Sequence, residues 1–109
     1  MAELDDDLPA TITIETQLDA SGSPIVILSG ELDASNITSL ETALSSLTSR
    51  SPQRVTFDLS ALGFMDSSGI AVLINTAAKV SEVHLRQPSP IIQRVLETTG
   101  LTGLLTVEP

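Results

Sequence analysis

The chain reads as an α/β layer fold on a largely parallel sheet of four or five strands, and three observations predict it. Short runs at 11–16, 55–59 and 82–86 alternate apolar and polar residues at period two. Stretches at 36–48, 70–80 and 90–99 space their apolar residues as helices do. The resulting order, β, β, α, β, α, β, α, β, alternates after an opening hairpin, the pattern of parallel strands joined by helical crossovers.

The elements follow in order. Thr11-Ile12-Thr13-Ile14-Glu15-Thr16 alternates, and the turn Ser21-Gly22-Ser23-Pro24 leads into the apolar run Ile25 to Leu28, a β-hairpin. Gly30-Glu31-Leu32-Asp33 reads as an exposed loop. Ile37, Leu40, Leu44 and Leu47 then define a helix over roughly 36–48, with Thr38 and Glu41 as a capping box or Ser35 or Asn36 as caps. Val55, Phe57 and Leu59 alternate as a strand. Ile70 to Val80 forms a helix whose first two turns are almost wholly apolar, so it must be substantially buried. On the strand 82–86, Val83 and Leu85 share one face and Glu82, His84 and Arg86 the other, which places His84 at the surface. Ser89 suits an N-cap, Pro90 the first helical position and Gly100 the C-terminal stop, with Ile91, Ile92, Val95 and Leu96 as the apolar face. Leu104 to Val107 is the last strand. Residues 1–9 read as an acidic, flexible tail before a single domain over 10–109.

Composition narrows the function classes. With 109 residues, 41% of them apolar, the chain has enough for one modest core. Phe57 and Phe64 are its only aromatic residues, which leaves no stacking platform for bases. Fourteen acidic against five basic side chains give a net charge of −9, which repels nucleic acid and anionic membranes and favours a basic protein partner. Cysteine is absent and His84 is the one histidine, so neither a zinc cluster nor thiolate chemistry is expected, and no cofactor is implied. The start has no signal-peptide pattern and no run approaches a spanning helix, which predicts a cytoplasmic protein without membrane insertion.

The chemistry concentrates at Asp66-Ser67-Ser68-Gly69, a tight step from strand to helix. Unpaired N–H groups and the positive dipole end at such a position stabilise added negative charge, so Ser67 or Ser68 is placed to carry phosphate. The same residues also suit a plain N-cap, with Gly69 allowing close packing. Serine hydrolysis lacks a nucleophile elbow and would have to use the single, distant His84 as its base, and no phosphate-cradling Gly-Lys loop is present to transfer phosphate.

Leu28-Ser29-Gly30-Glu31-Leu32-Asp33, Phe57-Asp58-Leu59-Ser60, Phe64-Met65-Asp66-Ser67-Ser68-Gly69-Ile70, Ser89-Pro90 with Arg94-Val95-Leu96, and Thr99-Gly100-Leu101 together resemble the bacterial anti-sigma-factor antagonists of the STAS class, over nearly all of 11–107. The resemblance implies the STAS fold, a mixed and largely parallel sheet with packed helices. It also implies a non-enzymatic switch whose unphosphorylated form binds an anti-sigma factor that is itself a serine kinase, releasing a sigma factor. The kinase would phosphorylate the first serine of the step, Ser67, and a PP2C-type phosphatase would reverse this. Glu31, Asp33, Asn36, Asp66, Ser67, Ser68, Gly69 and Ile70 would form the partner surface. The stretch from Gly69 to Ser89 is about a helical turn shorter than in the sporulation-type antagonist. An accessory STAS subunit of a membrane transport complex is the alternative.

Overall fold

The computed structural model describes residues 11–100 and 103–108, so the acidic segment 1–9 and Leu101 lie outside the described residues. β1 (Ile12–Leu18) and β2 (Pro24–Leu32) form the hairpin; α1 (Ile37–Thr48), β3 (Arg54–Met65), α2 (Ser67–Ala77), β4 (Glu82–Arg86), α3 (Pro90–Thr99) and β5 (Thr106–Glu108) then alternate. The hairpin turn is tied by Asp19, whose Oδ1 accepts from the Ser21 and Ser23 N–H groups at 2.8 and 2.9 Å and from Ser21 Oγ at 2.7 Å.

The strands lie in the order β1-β2-β3-β4-β5, with β1 antiparallel to β2 and every later pair parallel. Because β2 to β5 step across the sheet in one direction, crossovers of one hand deliver all three helices to the same face. The packing agrees. Val26 and Leu28, Val55, Phe57 and Leu59, and Val83 and Leu85 share one face by register, and they form a single cluster with Leu40 and Leu44 of α1, Ile70 and Leu73 of α2, and Ile92 and Leu96 of α3. Ile25 is 8% exposed yet lies outside this cluster, on the other face. The molecule is thus two layers, and without a reversal of strand order it has none of the switch-point crevices where doubly wound sheets bind ligands.

Several expectations are corrected here. Gly30, Glu31 and Leu32 are not an exposed loop but the end of β2, where Leu32 is 1% exposed and pairs with Met65. Gly30 reaches φ 106°, and the Glu31 N–H donates to Thr11 O at 2.9 Å. Alternation in β3 stops at Leu59, after which the buried positions are Leu62 and Met65. The register shifts against β2 in this stretch, so each three-residue step carries one extra residue, as β-bulges do. The bulges let a long strand keep one face on the core while it bends toward the start of α2.

The helix 70–80 begins earlier, at Ser67, and ends at Ala77, with residues 78–81 leading to β4. No Thr38–Glu41 capping box opens α1: Asn36 holds the cap position without a side-chain cap bond. His84 is buried rather than at the surface, because β3 and β5 flank it on both sides. The last strand starts at Thr106, two residues later than expected, while Leu104 is exposed in the preceding turn. The α3 signals hold as read: Ser89 Oγ accepts from Ile92 N–H at 3.3 Å, Pro90 opens the helix, and Gly100 closes it at φ 72°.

Candidate functional site

The site forms where β2 and β3 end side by side. Their last registered pair is Leu32 and Met65, and the Asp66 N–H donates to Leu32 O at 3.2 Å. Asp33 and Asp66 are the next residues of strands spaced about 4.8 Å apart, so two carboxylates leave the sheet at one rim.

There is no loop between β3 and α2. Asp66 itself, in extended conformation at φ −101° and ψ −169°, is the N-cap. Its Oδ1 accepts from Ser68 N–H at 2.8 Å, and its carbonyl accepts from Gly69 and Ile70 at 3.1 and 3.3 Å. Ser67 occupies the first helical position and is exposed, and its hydroxyl makes no hydrogen bond among the described residues. Ser68 is half-buried. Gly69 is buried where a Cβ would collide with Met65 Cγ and crowd Leu32 Cδ2, so its missing side chain lets α2 sit directly on the two strand ends. Ile70 points into the core.

The adjoining loop is knotted by its own polar groups. Asp33 Oδ1 accepts from the Ser35 N–H at 2.8 Å and from Ser35 Oγ at 2.6 Å, and the Asp33 N–H donates to Asn36 Oδ1 at 3.0 Å. Asn36 Nδ2 reaches back to Glu31 O at 2.8 Å. The Ser35 hydroxyl and N–H hold the Asp33 carboxyl below its usual range, which keeps it ionised at the rim.

Of the predicted residues, the structure therefore brings Asp33, Asn36, Asp66, Ser67 and Ser68 together. Glu31 is exposed one residue below the rim, while Gly69 and Ile70 are buried and serve to seat the helix. Ser35 was missed. The signal for it is an Asp-x-Ser spacing that recurs at Asp19/Ser21, Asp33/Ser35, Asp58/Ser60 and Asp66/Ser68, in the first three with both Ser N–H and Oγ on the Asp Oδ1 and in the last with the N–H. This is the Asx-turn chemistry that ties a carboxylate to the backbone two residues on.

Chemically, the rim offers a free hydroxyl at a helix N-terminus beside two carboxylates. His84 is not part of it, being held by Glu108 and Glu82 on the helix-free face of the sheet. Among the described residues, no group of three or more His, Asp or Glu side chains is placed to hold a metal ion, and no helix is long and apolar enough to cross a membrane.

Comparison with known proteins matches residues 11–109 to the STAS domain. The anti-sigma-F factor antagonist RsfB of Mycobacterium tuberculosis is 31% identical over 74 residues, which is 68% of this chain and 60% of that protein. The crystal structure of an anti-sigma factor antagonist from Mycobacterium paratuberculosis superposes with a TM-score of 0.83 at 29% identity, covering 91% of this chain and 86% of that one. The anti-sigma factor antagonist SpoIIAA in its unphosphorylated form superposes with a TM-score of 0.77 over 89% of each chain, and at 20% identity that likeness speaks for the fold.

Proposed function

We propose that this chain, which belongs to the STAS domain family, works as an anti-sigma-factor antagonist switched by phosphorylation of Ser67. Its unphosphorylated form binds an anti-sigma factor that is also a serine kinase, and a sigma factor is released. A PP2C-type phosphatase resets the switch. The protein acts in the cytoplasm by binding, and the groups that move phosphate belong to its partners.

One observation carries the reading: Asp66, not a serine, caps α2, so the Ser67 hydroxyl is left exposed and unengaged. A helix that needed only a cap has one already in Asp66. The partner surface is then the exposed Ser67 and Glu31 with the half-buried Asp33, Asn36, Asp66 and Ser68, on a frame fixed by Gly69 and Ile70.

Phosphate at Ser67 adds about −1.5 to −2 charge at pH 7 next to the Asp66 and Asp33 carboxylates. In the free protein that charge is solvated and favoured by the helix N-terminus. In the complex it must be desolvated beside like charge, so binding weakens without refolding. Incubation with the cognate kinase and ATP, followed by phosphosite mapping, tests the assignment: phosphate is expected on Ser67, and phosphate chiefly on Ser68 or elsewhere refutes it.

A further inference from the structure

The helix-free face of the sheet carries a charged network that the Ser67 rim does not use. Glu82, His84 and Arg86 alternate onto this face from β4, Arg54, Thr56 and Asp58 stand beside them on β3, and Thr106 and Glu108 on β5. His84 Nδ1 lies 2.7 Å from Glu108 Oε2 and Nε2 lies 3.4 Å from Glu82 Oε1. Arg86 Nε donates to Glu108 Oε1 at 3.5 Å, and Arg54 pairs with Glu82 at 3.5 Å. The His84 ring holds the Glu108 and Glu82 carboxyls below their usual range.

Little else fastens β5. It pairs with β4 over three residues, and Val107 and Leu104 are exposed. Among the described residues 103–108, Leu105 alone belongs to the core cluster. On the helix side, an open cleft of about 290 Å³ lined by Gln93, Leu96, Glu97, Leu105 and Val107 separates α3 from β5. Apolar packing is therefore thin where the charged contacts are dense.

We propose that β5 is held by a polar latch: its docking on β4 depends on the close contact of the His84 ring with the Glu108 carboxylate, and loss of either partner frees the strand while the rest of the sheet and the helices stay folded. Freeing β5 exposes the N–H and C=O groups along the β4 edge, which another strand can then pair. Hydrogen exchange followed residue by residue on the whole protein at pH 6 tests this, with wild type, Glu108→Gln and His84→Gln. The Gln87 N–H, which donates to Glu108 O at 2.9 Å, reports the latch directly. Both variants should lose about tenfold protection at Gln87 and at 106–108, the scale of one charge-assisted hydrogen bond, with protection across β2 and β3 unchanged. Wild-type protection at these amides in Glu108→Gln overturns the latch. So does a loss spread equally into β2 and β3, or a His84→Gln chain that fails to fold, since the network would then be supporting the whole molecule.

Discussion

Gly69→Ala sets two known effects against each other at the base of the candidate site. Alanine is favoured over glycine inside a helix by about 1 kcal/mol. Against this, the new Cβ collides with Met65 Cγ, lies 2.8 Å from Met65 Sδ and 3.0 Å from Leu32 Cδ2. Met65 and Leu32 are both buried, with little room to retreat, and overpacking of this kind costs about 1–3 kcal/mol. The net expectation is destabilisation by about 1 kcal/mol, a drop in Tm of roughly 4–8 °C for a domain of this size. The cause can be isolated with Met65→Ala, which alone opens a cavity at about 2–5 kcal/mol but in the double variant makes room for the methyl group added at position 69. The pair should therefore be less destabilised than the sum of the singles by about 1 kcal/mol or more. Urea unfolding followed by far-UV dichroism measures all three, since the chain has neither Trp nor Tyr. A Gly69→Ala protein stabilised by the full propensity gain, with no coupling to Met65, would refute the packing argument.

Asp33→Ala should weaken partner binding and also loosen the loop, because it removes the acceptor for two Ser35 donors, whereas Asp33→Asn keeps Oδ1 and should preserve loop protection in hydrogen exchange; equal exchange in both variants would contradict the assigned role. Glu82 and Glu108 have folded pKa values held down chiefly by His84, so their contribution to stability is present above the unfolded carboxylate value near about 4.3 and is lost as pH falls through the lower folded values. Urea midpoints should thus fall below about pH 4.5, more gently in Glu108→Gln than in wild type.

Much of this fold is legible because its signals are local. Ser89, Pro90 and Gly100 each specify a backbone state within one turn of α3, and the apolar spacing of α1 places that helix to within a residue. What is not legible depends on neighbours far along the chain. Gly30 and Glu31 look like loop residues until β3 supplies the ladder that makes them strand. Likewise, alternation assigns His84 to the polar face correctly, but its burial comes from Thr56 and Thr106 beside it on flanking strands. That all helices share one face follows from strand order, which periodicity does not encode. At the site, the Asp-Ser-Ser-Gly step is readable as a charged helix start with two serines. The division of labour, with Asp66 capping and Ser67 left exposed, is settled only by the backbone geometry at Asp66.

The proposed switch stands or falls on one comparison, a calorimetric titration of its proposed anti-sigma kinase partner with this protein unphosphorylated, phosphorylated at Ser67, and carrying Ser67→Ala or Ser67→Asp. A penalty of about 4 kcal/mol for desolvating the phosphate beside Asp66 and Asp33 corresponds to about a thousandfold weaker Kd. Ser67→Ala should bind as the unphosphorylated protein does, and Ser67→Asp should fall between the two because it carries less charge than phosphate. Equal affinities across all four forms would contradict the switch and leave a constitutive STAS subunit, such as one held in a membrane transport complex, as the better account.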